Sequence, residues 1–269
     1  MKELELDNQG LMSVLDKNAK KKEHLFTHSI PKYMVRCMLA GMFLTIGTAI
    51  AVMVGEKGNH IHPDLGKFLY SFMFSWSLVM IIYMDTELGT SNMMYLTVGV
   101  HRKVVKPIQA VKLLATCISC NLLGGILFSY IISQTNAFQD LSSNHYLITA
   151  VSGKLTKTTL QIISEGIFAN IIVNTAVVAS ARMKDDAGKL FATVFIIFIF
   201  AFLGFEHVIA NFSSFAMALF ASGGAVPGMT MGSVLHNWIF ALIGNYIGGG
   251  LIIGFVYSWL NRGETVYFD

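Results

Sequence analysis

The chain alternates between long apolar stretches and short polar connections. A helix needs about 20 apolar residues to cross a hydrocarbon core of roughly 30 Å, and four stretches have about that length. Two others are longer: 68–100 contains no lysine or arginine, and 190–227 has only Glu206 and His207 as charged or titratable residues. The pattern therefore predicts six crossings. The four shorter stretches are residues 37–55, 113–133, 158–181 and 238–260.

The two longer stretches exceed one straight crossing and fall short of two. As helices they would reach roughly 50 and 57 Å at 1.5 Å per residue. Their polar patches, Asp-Thr-Glu at 85–87 and Gly-Phe-Glu-His at 204–207, are the predicted break points, because the four prolines lie in connections or at span ends. Non-helical backbone persists at membrane depth only where protein buries it or where it lines a cavity.

Lysine and arginine are distributed unevenly between the two sides of these six spans. Fifteen lie on the side of the N-terminal segment and four on the other side. Because cytoplasmic connections carry the excess of these residues, we expect a multi-pass plasma-membrane protein with both termini in the cytoplasm. The predicted organisation is a cytoplasmic segment 1–32, a six-span channel domain 33–262 and a cytoplasmic tail 263–269.

The composition agrees with a membrane protein and excludes several classes of function. The 269 residues are 54% hydrophobic and only 13% charged, about half the charged fraction of a soluble domain. The net charge of +3 gives no sign of nucleic-acid binding. Cys117 and Cys120 lie in an apolar run, where packing residues are favoured over a redox pair. The sequence contains no catalytic Ser/His/Asp set, metal-ligand cluster or nucleotide motif, so we expect neither an enzyme nor a metal or other cofactor.

The two halves of the channel domain repeat each other weakly but in the same order, at offsets of 125, 119 and 124 residues. A three-span unit that is repeated must be inverted in the membrane, here at about 33–135 and 155–262. Interrupted helices in such repeats mark channels and secondary transporters, although glycine pairs alone are ordinary packing seams. The predicted fold is an all-α bundle with aquaporin-like inverted three-helix repeats and broken second and fifth helices. The matching segments are 41–45 with 166–170, Glu87 and Asn92 with Glu206 and Asn211, and 121–125 with 245–249.

Ionisable groups at membrane depth are functional candidates by default, and His207 is the strongest of them. A neutral imidazole donates through one nitrogen and accepts through the other, so in a pore it could hydrogen-bond an anion or lend it a proton. The alternative is a core histidine that binds a carbonyl freed by the break. Thr90, in the other break, would either bind an anion with nearby amides or cap its own helix.

The glutamates beside the breaks have a different expected role. Glu87 and Glu206 are expected to accept hydrogen bonds from backbone amides that lost their helical partners, with proton carriage as the alternative. Phe74, Leu78 and Phe200 lie about half a span from the breaks. They form either core or lipid-facing surface, or an apolar constriction that strips water from a permeant species.

Four segments together resemble the formate/nitrite transporter family, whose members are pentameric, channel-like proteins with six spans per subunit. The resemblance covers roughly residues 30–262. Residues 204–211 read Gly-Phe-Glu-His-Val-Ile-Ala-Asn and look like the family's G-F-E-H-x-I-A-N signature. Residues 87–90 resemble its E-L-F-T segment, 166–170 its G-I-L-x-N, and 245–249 its N-x-x-G-G.

The resemblance implies roles for individual residues. His207 would be the central histidine near Thr90, with Asn170 and Lys154 as polar partners, and Lys154 would bias the outer vestibule towards anions. Two apolar constrictions are implied, one formed by Phe74, Leu78 and Phe200, the other by Leu88 and Val208. Asn92 and Asn211 would belong with the glutamates to the structure of the breaks.

This sequence departs from the family pattern at two places. Gly89 stands where the family has phenylalanine, and we expect it to widen or loosen one constriction. Gln161 stands at the family's acidic position early in the fourth span, and Glu165 lies one turn further along.

The resemblance implies a channel or transporter for small monovalent anions of weak acids, of the formate, nitrite or hydrosulfide type. Its partners would be the lipid bilayer and identical subunits in a homopentamer. Transport would be linked to protons, with passive conduction of the anion as the rival mechanism. Short monocarboxylates such as lactate or acetate are an alternative substrate class. An aquaporin-like pore for neutral solutes is a further alternative, although the N-P-A pairs of that fold are absent.

Overall fold

A computed structural model describes residues 10–222 and 226–261. The predicted tail 263–269 and the first nine residues of the predicted N-terminal segment lie outside the described residues. Within the described ranges, all regular secondary structure is helical. The elements are α1 Leu11–His28, α2 Ile30–Asn59, α3 Pro63–Phe74, α4 Trp76–Tyr83, α5 Gly89–His101, α6 Pro107–Ser133, a 3₁₀ turn Asn136–Phe138, α7 Tyr146–Leu155, α8 Thr159–Arg182, α9 Asp186–Leu203, α10 Val208–Ala221, α11 Met231–Asn245, a π-helical segment Tyr246–Val256 and α12 Tyr257–Leu260.

The predicted six crossings are confirmed. Six helical segments are long and apolar enough to span a membrane, and each contains one of the predicted stretches or its first part. The protein is therefore a multi-pass membrane protein. The spans are Ile30–Asn59, Pro63–Tyr83, Pro107–Ser133, Thr159–Arg182, Asp186–Leu203 and Met231–Leu260.

Both predicted breaks are present at the predicted positions. The second span is interrupted between Tyr83 and Gly89, and the fifth between Leu203 and Val208. Gly204 ends α9 in the left-handed region at a φ of 72°, a conformation that glycine adopts without steric cost. Asp85 adopts a φ of 50° in the other break, which aspartate tolerates better than most residues. After each break a shorter helix, α5 or α10, continues the chain.

The inverted repeat is visible in the helix packing. In the first half α2 packs along α6, and in the second half α8 packs along α11. The post-break helices are exchanged between the halves: α10 packs on α6, and α5 packs on the π-helical segment that follows α11. Glycines form these seams, as expected, because a Cβ on Gly124 would overlap the carbonyl of Met38 and one on Gly248 the carbonyl of Ile167.

Two helices were not predicted from the hydrophobic pattern. The N-terminal segment, predicted only to be cytoplasmic, forms α1 and packs against α5 and α2. Its buried residues Leu15, Ala19, Lys22 and Phe26 recur every three or four positions, a helical period. The other is α7, a short helix between the third and fourth spans that carries Lys154 in its last turn. These two helices place lysines against the two breaks.

Candidate functional site

Two cavities approach the centre of the bundle from opposite sides. The Lys22-side vestibule, about 430 Å³, is lined by α1, α4 and the first break. The Lys154-side vestibule, about 370 Å³, is lined by α3, α7 and the second break. A central cavity of about 10 Å³ lies between them and contains His207 on its wall. This small volume is about the minimum that holds one water molecule.

His207 and Thr90 join the two breaks. The Nε2 atom of His207 lies 2.8 Å from the hydroxyl oxygen of Thr90, and both side chains are buried. The amide of Ala210 donates to Nδ1 of His207, which thereby caps α10. In the neutral ring the proton therefore sits on Nε2 and is donated to Thr90, so the hydroxyl hydrogen of Thr90 is free to donate to a third group.

Apolar side chains close the central cavity on both sides. Phe74 and Phe200 line both the central cavity and the Lys154-side vestibule, with ring centroids 5.6 Å apart. Leu78 and Leu88 line both the central cavity and the Lys22-side vestibule. Leu78 therefore groups with Leu88, whereas the sequence placed it with the two phenylalanines. Val208 is fully buried and lines neither the two vestibules nor the central cavity.

Glu206 is the centre of a charged network behind the second break. Its side chain is fully buried. One oxygen accepts from Lys154 at 3.0 Å and from Lys157 at 2.6 Å. The other accepts from Asn211 at 2.6 Å and from Asn237 at 3.2 Å. Lys154 therefore lines its vestibule as the partner of a carboxylate, and its positive charge is largely compensated.

Glu87 has the same arrangement behind the first break. Its carboxylate accepts from Lys22 at 2.8 Å and from Asn92 at 2.9 Å. Burial by itself would lower the pKa of Lys22, but the charge and the hydrogen bond of Glu87, together with smaller effects of neighbouring groups, outweigh it and raise that pKa. Nearby, Asp85 accepts from Lys21 at 2.6 Å and from Arg36 at 3.1 Å. The pairs of Lys21 and Lys22 fasten α1 to the first break, and the pair of Arg36 fastens α2 to it.

The expected partners of the two glutamates were wrong. Neither carboxylate accepts from a freed backbone amide among the described residues; their partners are the lysine and asparagine side chains. The freed backbone groups are bound instead by Asn121 and Asn245. Asn121 accepts from the amide of Gly89 and donates to the carbonyl of Glu87, while Asn245 accepts from Val208 and donates to the carbonyl of Glu206.

Asn170 lies close to His207 and Thr90, but its side chain binds backbone carbonyls. Its amide donates to the carbonyl of Thr90 at 3.1 Å and to the carbonyl of Asn245 at 2.8 Å. The side chain is fully buried and lines neither the two vestibules nor the central cavity. Asn170 therefore fixes the position of Thr90 and is not a direct contact for a permeant species in this conformation.

The two departures from the family pattern have local explanations. A Cβ on Gly89 would meet Asn121 and Ile118 at 3.0 Å, so its side-chain direction points at α6 and not into the central cavity. The expectation that Gly89 widens a constriction is therefore wrong for this conformation. Gln161 forms a capping box at the start of α8. Glu165 pairs with Lys157, which links it to Glu206.

Four residues of this site were missed in the sequence. Lys22, Lys157 and Asn237 bind the two glutamates, and Lys67 lines the Lys154-side vestibule. Lys67 has no acidic partner within 4 Å among the residues that the structure describes, and its ammonium group lies 5.0 Å from the centre of the Phe202 ring. The helical period of the buried residues of α1 could have identified Lys22. Lys157, Asn237 and Lys67 come from separate parts of the fold, and no local sequence pattern indicates them.

Comparisons with known proteins agree with this architecture. A family model described as formate/nitrite transporter matches residues 10–259. The chain is 28% identical over 259 residues to the uncharacterised transporter YwcJ of Bacillus subtilis (strain 168), covering 95% of this chain and 99% of YwcJ. It is 28% identical over 263 residues to the formate-nitrite transporter of Plasmodium falciparum (isolate 3D7), covering 93% and 83% of the two chains.

Two solved structures share the fold. An FNT family ion channel superposes with a TM-score of 0.86 at 21% identity, covering 94% of this chain and 99% of the channel. A pentameric formate channel with formate bound superposes with a TM-score of 0.75 at 23% identity, covering 85% and 96%. Since the family model spans nearly the whole sequence, the chain belongs to the formate/nitrite transporter family.

Proposed function

We propose that the chain conducts small monovalent anions of weak acids, of the formate, nitrite or hydrosulfide type, across the plasma membrane in a proton-linked manner. The observation that carries this proposal is His207, which lies on the wall of the central cavity between the two vestibules and is held by a hydrogen bond to the buried Thr90. Among the described residues, its imidazole offers a hydrogen-bond donor at a point where apolar side chains exclude water from both sides. A small species that stops there would exchange part of its hydration for this fixed polar group.

Proton linkage follows from the cost of desolvation. A bare anion between Phe74, Phe200, Leu78 and Leu88 would lose most of its hydration. Burial raises the pKa of a weak acid, so the permeant anion takes up a proton from the aqueous vestibule as it leaves and passes His207 as the neutral acid. His207 then redirects its Nε2 proton from Thr90 to the acid's oxygen or sulfur. In the rival mechanism the anion itself passes and His207 only donates a hydrogen bond.

The proposal extends to orientation and assembly. The lysine and arginine excess places α1 and the Lys22-side vestibule in the cytoplasm, with both termini on that side. A homopentamer is supported by one of the structural neighbours, which is a pentameric formate channel. Large apolar side chains on the outer faces of the spans, such as Phe191, Phe195 and Leu235, are exposed in the single chain. Lipid or a neighbouring subunit would cover these side chains.

Proteoliposomes containing the purified protein test this function. We expect swelling and anion uptake with formate, nitrite or hydrosulfide, and faster uptake when the outside is more acidic. A His207→Ala variant is expected to lose most of this flux. Uptake that ignores the pH gradient, or normal flux through His207→Ala, would remove the proton-linked mechanism. Swelling with glycerol alone would overturn the anion assignment, and a preference for lactate or acetate would shift the substrate class.

Lys67 is the basic residue that we expect to concentrate anions at the Lys154-side mouth. Lys154 and Lys157 are compensated by Glu206 and Glu165, whereas Lys67 is exposed and has no acidic partner among the described residues. One unit charge at roughly 6 Å in water contributes about 0.7 kcal/mol. A Lys67→Gln variant should therefore lower the uptake rate about threefold at low ionic strength.

Salt provides the control for this prediction. The Debye length falls from about 30 Å at 0.01 M to about 3 Å at 1 M ionic strength, so the difference between Lys67→Gln and wild type should vanish at high salt. A Lys67→Arg variant retains the charge and should match the wild type throughout. An effect of Lys67→Gln that persists unchanged at 1 M salt would contradict the electrostatic role.

A further inference from the structure

Thr48 carries a buried hydroxyl group that no described residue binds. The residue lies on α2 with 1% of its surface exposed, and it lines the Lys154-side vestibule. Its Oγ1 atom has no hydrogen-bond partner among the residues that the structure describes. Buried hydroxyls are usually hydrogen-bonded, and Thr48 is an exception among the described residues.

Three neighbouring hydroxyls, on α2 and α3, donate to carbonyls of their own helix. Thr45, one turn before Thr48 on α2, donates to the carbonyl of Gly41 at 3.0 Å. Ser71 and Ser75 on the neighbouring α3 segment bind the carbonyls four residues before them in the same way. This back-bonding is the ordinary solution for serine and threonine in apolar helices. Thr48 departs from it in a residue that lines a cavity, so its hydroxyl hydrogen is uncommitted beside that cavity.

The position of Thr48 is close to the narrow path. Leu44 lies one turn before it on the same face of α2 and lines the central cavity. Lys154 and His207 line the same vestibule as Thr48. Thr48 therefore lies on the floor of the vestibule, where a permeant species leaves water and approaches Phe74 and Phe200.

Building on the proposed function, we infer that Thr48 is a specificity-determining residue that binds small oxyanions before they enter the constriction. A hydroxyl hydrogen bonds strongly to a charged oxygen. Formate, nitrite and short carboxylates each present two such oxygens, one for Thr48 and one that remains available to Lys154 or His207. Hydrosulfide has a single sulfur, which is a weak acceptor, and gains little from the hydroxyl. Thr48 thus favours oxyanions over hydrosulfide.

A Thr48→Val variant isolates the hydroxyl because the two side chains have nearly the same shape. One net hydrogen bond of about 1 kcal/mol corresponds to about fivefold in binding. In proteoliposomes at fixed pH, Thr48→Val should raise the half-saturating concentration of formate and of nitrite about fivefold. The value for hydrosulfide should stay within twofold. Thr48→Ser, which keeps the hydroxyl, should behave as the wild type.

The thermal unfolding temperature and a control variant at Thr45 distinguish an effect on anion binding from an effect on folding. Thr48→Val removes an unpaired group and should leave the thermal unfolding temperature unchanged or raised. Thr45→Val should lower that temperature without changing any half-saturating concentration. If Thr48→Val leaves formate unchanged, or weakens all three anions equally, the inference is overturned while the proposed function stands. Wild-type vesicles impermeable to all three anions would overturn the proposed function, and the inference with it.

Discussion

Replacing Glu206 by alanine is expected to destabilise the protein by about 3–5 kcal/mol. The carboxylate is fully buried and binds two lysines and two asparagines. Its removal leaves the largely buried Lys154 without its carboxylate partner and leaves Lys157 paired with Glu165 alone. Breaking a buried ion pair on one side has an effect of this size. The change in the free energy of unfolding can be measured on detergent-solubilised protein. Circular dichroism follows the loss of helix as a denaturing detergent is titrated in.

Glu165 is the matched control for Glu206. It shares the partner Lys157, but its side chain is about a quarter exposed, and Lys157 keeps Glu206 after its loss. A partly exposed ion pair contributes at most about 1 kcal/mol, so Glu165→Ala should cost far less than Glu206→Ala. Equal stability of Glu206→Ala and wild type would show that the lysines find other partners, and the network would not be what holds the second break.

The fold was largely predictable from the sequence for a simple physical reason. Span length is set by the thickness of the bilayer, so the count of six and the two overlong stretches follow from hydropathy alone. The breaks at 84–88 and 204–207 were predictable because polar patches cannot continue a lipid-facing helix. The helices α1 and α7 were missed because neither crosses the membrane, and the hydropathy argument therefore has nothing to say about them.

The site was only partly predictable, because its partners come from distant parts of the chain. His207 and Thr90 are separated by 117 positions but lie 2.8 Å apart. Their pairing entered through the family resemblance and not through any local pattern. The glutamates were singled out correctly at the breaks but given the wrong partners. Lys22 and Lys157 reach them from outside the spans, and such contacts depend on tertiary packing.

The internal repeat distinguishes the residues that hold the two breaks from the residue that faces the central cavity. At the offset of 119 residues, Glu87 and Asn92 correspond to Glu206 and Asn211, and both pairs make the same contact. At the same offset, however, Leu88 corresponds to His207. The two halves therefore keep the residues that hold the breaks and differ at the residue that faces the central cavity. One break supplies an apolar wall and the other supplies the imidazole.

The second large effect is expected at Asn245. Its side chain is fully buried and accepts from the amide of Val208 while donating to the carbonyls of Gly166 and Glu206, all at 2.8–2.9 Å. An Asn245→Leu variant has a similar volume and leaves these three backbone groups without a partner at membrane depth. At roughly 1 kcal/mol each, the loss is about 3 kcal/mol, measured by the same unfolding titration.

Asn261 provides the comparison because, among the residues that the structure describes, its side-chain amide makes a single exposed bond, to the carbonyl of Tyr257. Asn261→Leu should stay within about 0.5 kcal/mol of the wild type. The pseudo-equivalent Asn121→Leu should resemble Asn245→Leu, since Asn121 also binds three backbone groups, those of Cys37, Glu87 and Gly89. A small effect at both asparagines would mean that the broken backbone is held by the ion pairs of Glu87 and Glu206 alone. Large effects at both would show that each break depends on its own asparagine as well as on its glutamate.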